Sequence, residues 1–147
     1  MTLHPFRYLS IAILTALLSA GLAACGAASS LAVVSMRPMS ELPPEMQSAP
    51  APVRTAYQFA AANPQVSMNV PCYCGCVSLG HTSNFQCYVS RVDAGGIFVY
   101  DAHALGCATC VNITQDSMRL FRQGHTIQEI HAYIDATYSS YGPSTGP

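Results

Sequence analysis

The sequence predicts a small, mainly α-helical domain with a Cys-rich loop, a C-terminal helical hairpin and at most one short strand. Three observations lead there. Apolar residues recur at three- and four-residue spacing in two stretches near the C-terminus and in a third around 53–61, and a β-type run of any length occurs only at Ile97–Tyr100. Six cysteines fall between 72 and 110, too dense for a loop with no staple or ligand. A chain of 147 residues has room for one such domain and a leader.

The leader comes first. His4 and Arg7 precede an apolar run from Leu9 to Leu22, the arrangement of an export signal, and the run closes on Leu22-Ala23-Ala24-Cys25. That ending has the form of the bacterial lipobox, in which small residues admit the peptidase and the cysteine thiol takes a diacylglycerol. The run is short for a transmembrane span, which needs about 20 apolar residues. Residues 1–24 are therefore expected to be a lipoprotein signal peptide, with Cys25 the lipid attachment site and the membrane a partner through that anchor. The expected location is the cell surface or the periplasmic face of a bacterial membrane.

Residues 25–52 are rich in Ala, Ser, Pro and Met without sustained periodicity and are expected to form a flexible tether. Met36, Met39 and Met46 within it are spaced methionines with no assigned role. The domain is expected over 53–141. It begins with a helix of about ten residues carrying Val53, Tyr57, Phe59, Ala60 and Ala61, closed by Asn63-Pro64. A loop follows at Pro71–Cys76. Thr82-Ser83 is an N-cap for a short helix bearing Phe85, Cys87, Tyr88 and Val89. Asp93–Gly96 is a turn, and Ile97–Tyr100 the brief strand. Asp101 or Thr109 caps the next helix, whose Cys110, Ile113 or Thr114, Ser117 or Met118, and Phe121 mark one face until Gly124 stops it. The last helix carries the clearest signature. Thr126-Ile127-Gln128-Glu129 is a capping box, and Ile127, Ile130, Ile134 and Tyr138 form one apolar stripe. Residues 142–147 are expected to be a disordered tail.

Charged residues make up only 9 % of the chain, lysine is absent, and the arginines are scattered. A nucleic-acid partner is therefore not expected, since phosphate contacts need clustered cations. Acidic residues are too sparse for an obvious hydrolytic pair, no catalytic residue is assigned, and an enzyme is the less favoured class.

The chemistry lies in Cys72, Cys74, Cys76, Cys87, Cys107 and Cys110, with His81 and His103 close by in sequence. In an extended chain residues two apart point the same way, at about 6.6 Å between Cα atoms. Sulfurs sharing one zinc at about 2.3 Å must come closer, so the loop has to curl. Gly75 permits it. Cys107-Ala108-Thr109-Cys110 has the two-residue gap that sets both thiols on one face of a helical turn, where the N-terminal amides favour thiolate. Thiolate with imidazole suits zinc or copper and is poor for magnesium or calcium. Asp101 is expected beside this set, fixing the His103 tautomer. His125, in the interhelix turn, and His131, beside the apolar stripe, are expected outside it.

Two other readings stay open. Exported cysteines commonly form structural disulfides, and six allow fifteen pairings. Bridges within the Cys72–Cys76 run would close strained rings. The Cys-x-x-Cys also suggests thiol–disulfide exchange, but no proline lies between Cys110 and Pro143 to serve as a thioredoxin-like cis-proline. Covalent haem is disfavoured because Val111 stands where His is required.

Pro71–Cys76, Gly80-His81, Cys87-Tyr88-Val89, Tyr100–His103, Cys107-x-x-Cys110, Gly124–Ile130 and Tyr133–Asp135 together resemble the bacterial lipoproteins named for their PCYCGC motif. The resemblance spans Tyr57 to Tyr141, with Tyr100 where the family often carries Trp, a departure expected to touch packing only. It implies an exported lipoprotein and a domain extent, and brings no activity with it.

Overall fold

The computed structural model describes residues 33–146. The expected signal peptide, the Cys25 attachment site and the first part of the tether, residues 26–32, lie outside the described residues. The helices are α1 (Pro44–Gln47), α2 (Ala51–Ala62), α3 (Pro64–Ser67), α4 (Ala108–Arg122) and α5 (Ile127–Tyr138). The strands are β1 (Val89–Val92) and β2 (Phe98–Tyr100), and single 3-10 turns occupy Met39–Glu41, Cys76–Leu79, Asn84–Cys87 and His103–Leu105. Among the described residues no helix is long and apolar enough to cross a membrane. The fold is mainly α, as the sequence predicts.

Helix α4 is central, packed by α2 on one side and α5 on another. Ala56, Tyr57, Phe59 and Ala60 of α2, Ile113, Met118 and Leu120 of α4, and Ile130, Ile134 and Tyr138 of α5 are buried in one core. Each fully buried Ile or Phe contributes about 1.5–3 kcal/mol relative to exposure. The predicted hairpin of α4 and α5 is present. Gly124 turns the chain at φ 86°, where a side chain would be strained, and the His125 amide bonds back to the Leu120 carbonyl at 3.1 Å. The capping box then opens α5. The Thr126 hydroxyl accepts from the Glu129 amide at 3.2 Å, and the Glu129 carboxylate accepts from the Thr126 amide at 2.7 Å.

The expected free tether is corrected over most of its described length. Leu42 and Met46 are buried in the core, and Val34 packs against it. The Arg37 amide donates to the Gln58 carbonyl at 3.1 Å, Gln58 Nε2 donates to the Arg37 carbonyl at 2.7 Å, and Asn63 Nδ2 reaches the Ser35 carbonyl at 2.8 Å. The Arg37 guanidinium stacks over the Phe98 ring at 4.3 Å. The prolines behind the spacer reading open helices instead. Pro43 precedes α1 and Pro50 precedes α2, and Pro44, Pro52 and Pro64 stand in first turns, where the missing N–H costs nothing. The ordered domain thus begins well before Val53.

Two further expectations are corrected. The short helix after Thr82-Ser83 is a single 3-10 turn, Asn84–Cys87, with no side-chain cap from Ser83, and Val89 has passed into β1. β1 pairs antiparallel with β2, Val89 opposite Tyr100 and Val92 opposite Phe98, with an irregularity between Val89 and Arg91. The predicted turn joins them, Asp93 Oδ1 accepting from the Gly95 and Ile97 amides at 2.9 Å. β1 escaped the sequence reading because Ser90 and Arg91 break its apolar run and face solvent. The tail is corrected as well. Thr145 is buried, and Gly142 lies against the Tyr73 backbone of the Cys-rich loop.

Candidate metal centre

Three pieces of chain meet at one end of α4. The first is the Pro71–Cys76 loop, curled at Gly75, whose φ of 83° only glycine adopts freely. The second is the Asn84–Cys87 turn. The third runs from β2 through the His103–Leu105 turn to Cys107, the extended residue just before α4, and Cys110 in its first turn. Neither Asp101 nor Thr109 caps α4. The Asp101 carboxylate accepts from the His103 amide at 2.8 Å, fixing the turn before the helix.

All six sulfurs are free thiols and lie in one continuous cluster. Cys72 Sγ is 3.4 Å from Cys74 Sγ and 3.3 Å from Cys110 Sγ, and Cys110 Sγ is 3.4 Å from Cys74 Sγ and 3.2 Å from Cys107 Sγ. Cys76 Sγ lies 3.7 Å from Cys87 Sγ. Sulfurs at the corners of a zinc tetrahedron with bonds of about 2.3 Å stand about 3.8 Å apart, so the cluster is as compact as such a site demands. His103 Nε2 approaches Cys74 Sγ at 3.3 Å, and His81 Nδ1 approaches Cys87 Sγ at 3.6 Å. The structure therefore brings together every cysteine and histidine that the sequence nominated.

Asp101 acts differently from expectation. Its second oxygen faces His81 Nε2 at 3.9 Å, and it touches His103 only through the backbone. The ring it faces is His81, whose other nitrogen, Nδ1, points at the Cys87 sulfur.

Buried hydroxyls hold the scaffold. Tyr57 donates to the Asp101 carbonyl at 2.7 Å and Tyr88 to the Cys110 carbonyl at 2.9 Å. Burial holds both phenols well above their ordinary pKa, so both remain donors. Thr114 bonds Asn84 Oδ1 at 2.6 Å, and Asn84 in turn takes the Val70 carbonyl on its amide at 2.8 Å, tying α4 to the chain before the loop. Sequence reasoning missed Thr145. Its hydroxyl accepts from the Cys72 amide at 2.9 Å and its own amide donates to the Cys72 carbonyl at 3.0 Å, a two-bond clamp on the first cysteine of the loop. A Ser/Thr near a Gly-rich terminus carries no periodic signal, so nothing in the sequence pointed to it.

The electrostatics follow from crowding. The Cys72 thiol is held far below its ordinary value, chiefly by a hydrogen bond from Cys110. The Cys110 thiol is pushed up by the same bond. Burial raises Cys74 and Cys76. Packed sulfurs share one environment, so one thiolate makes the next costly, and ionising the rest requires a positive charge among them. Cys72, Cys76, Cys87 and Cys110 are buried, while Cys74, Cys107, His81 and His103 are only partly covered, giving the cluster one side open to solvent.

The sequence model of a family described as "Protein of unknown function with PCYCGC motif" matches residues 14–147. The chain belongs to the PCYCGC family. No curated protein and no solved structure matches it. The hexapeptide that names the family, Pro71–Cys76, is the loop that supplies three of the six clustered sulfurs. In this PCYCGC protein His125 is exposed beside Glu129, and His131 contacts the Asn69 carbonyl and Asp135, both away from the cluster. Met46 is a core residue, and Met36 and Met39 lie on the surface.

Proposed function

We propose that this chain is an exported lipoprotein, anchored through Cys25, whose domain binds a thiophilic metal ion, zinc or copper, as a carrier, store or sensor at the membrane surface. One observation carries the reading: six unbridged sulfurs and two imidazole nitrogens, drawn from separate stretches of chain, gather in one cluster in which each lies within 3.7 Å of another. A domain with a buried core this size has no packing need to gather its thiols at one point, whereas soft thiolates and neutral imidazoles are the donors such ions select. Cys72, Cys74, Cys76, Cys87, Cys107 and Cys110 supply sulfur, His81 and His103 nitrogen, and Asp101 orients His81. The partly open side gives an ion a way in.

The experiment is elemental analysis of the purified protein before and after dialysis against a chelator, with reloading. Bound zinc or copper that returns on reloading is the expected result. A protein that stays metal-free through reloading under reducing conditions excludes the reading.

A second reading is favoured by the 3.2 Å approach of Cys107 and Cys110 at a helix N-terminus, with Cys107 partly exposed. This is thiol–disulfide exchange. Its weakness is architectural, because the sheet of the described residues is one antiparallel hairpin without the parallel βαβ unit of thioredoxin-like proteins. Reduction of insulin disulfides that is lost in Cys107→Ser would favour it. Anchoring is tested separately, by incorporation of labelled fatty acid that Cys25→Ser abolishes.

A further inference from the structure

Two four-donor sets in the cluster each gather ligand atoms lying within 4.8 Å of one another: Cys72, Cys74, Cys76 and Cys87 in one, Cys74, Cys87, His103 and Cys110 in the other. They have Cys74 and Cys87 in common. We infer that the centre is dinuclear, with two divalent thiophilic ions joined through the Cys74 and Cys87 sulfurs. The inference rests on the metal-binding reading above and specifies the form of that site.

A single ion does not satisfy the geometry. A tetrahedral thiophilic ion takes four donors. Placed in the first set, it leaves Cys110, 3.3 Å from Cys72 Sγ, and His103, 3.3 Å from Cys74 Sγ, pressed against its ligands with nothing to bind. Placed in the second, it strands Cys72 and Cys76, both buried. Thiolate sulfur keeps further lone pairs after binding one cation, so a shared sulfur completes both tetrahedra and six donors are then engaged.

Charge points the same way. Five thiolates around one divalent ion leave three uncompensated negative charges in a partly buried site, and around two they leave one. The chain has no lysine to help. His81 and Cys107 stand outside both sets, each one contact away, at 3.6 Å from Cys87 and 3.2 Å from Cys110. Both are partly exposed, and they form the rim over which an ion would pass in or out by ligand exchange.

Cadmium NMR on the full chain in detergent, reduced and loaded with isotopically enriched cadmium as the probe, tests this. The expected spectrum has two resonances of equal intensity, each split by coupling to the other through a shared sulfur. One resonance at one cadmium per chain, or two without mutual splitting, overturns the dinuclear inference while leaving metal binding intact. No bound cadmium overturns both. Cys74→Ser, at a partly exposed position, is expected to shift both resonances, since each ion loses a ligand, and to change the splitting to what the Cys87 sulfur alone carries; retention of the wild-type spectrum, or a shift of one resonance only, contradicts the bridge. Should that variant fail to fold, His103→Ala serves instead: His103 is partly exposed and belongs to the second set alone, so one resonance moves or disappears while the other keeps its position, and a spectrum in which neither or both move overturns the assignment.

Discussion

At the scale of single residues, the side chains around the sulfurs hold the cluster in place. Asp101 spends one carboxylate oxygen on the His103 amide and turns the other toward His81. Asp101→Asn keeps the backbone bond and loses the carboxylate charge that faces the His81 ring. Metal affinity should fall about 10- to 100-fold with the circular dichroism unchanged, as read by competition with a chromogenic chelator. Thr145→Val removes the hydroxyl that accepts from the Cys72 amide and leaves that buried N–H unpaired. The expected loss is about 1–3 kcal/mol of unfolding free energy, measured by denaturant titration. The gathering of the candidate donors was legible in the sequence, because spacing and side-chain chemistry single out these cysteines and histidines without knowledge of the fold. Their supports were not. Asp101 was assigned to its sequence neighbour His103, whereas the tertiary fold swings His81 to the carboxylate, and Thr145 acts across 73 residues.

At the scale of elements, local signals decided what could be read. The α4–α5 hairpin was legible because its stripe, stop glycine and capping box agree with one another. Thr126→Ala removes the hydroxyl on the Glu129 amide, and a melting temperature lowered by about 5 °C is expected in differential scanning calorimetry. The box also has a pH signature. The Glu129 carboxyl is held below its ordinary 4.5, first by the Thr126 backbone amide, so its contribution is full above that value. It is lost as pH falls through the lower folded-state value. The difference in melting temperature between wild type and Glu129→Gln should therefore shrink as pH drops below about 4.5. The proline-rich stretch before Val53 misled because composition reports a tether and a string of short helix starts identically. What separates them is burial of Leu42 and Met46, a tertiary fact. β1 was hidden for a related reason, since three of its four residues face solvent.

At the scale of the whole molecule, the Pro71–Cys76 loop, the N-terminus of α4 and the C-terminal segment close on one another, so the sulfur cluster sits where the middle of the folded domain meets its C-terminal end. An ion that binds only the folded chain stabilises it by mass action, about 4 kcal/mol at a thousandfold excess over its dissociation constant. Chelation under reducing conditions should accordingly lower the melting temperature by at least 10 °C, and re-addition of metal should restore it. Binding should also tighten as pH rises, because the thiols of Cys74, Cys76 and Cys110, all held above their ordinary values, must release protons to become ligands. The central claim is that the sulfurs converge on a cation and not on each other. The most direct test is a metal content and a free-thiol count on the same sample, isolated without reductant and unfolded in chelator for the count. The account predicts bound zinc or copper together with six titratable thiols per folded domain. A metal-free sample whose sulfurs are all oxidised, and which still binds no metal once reduced, would contradict it.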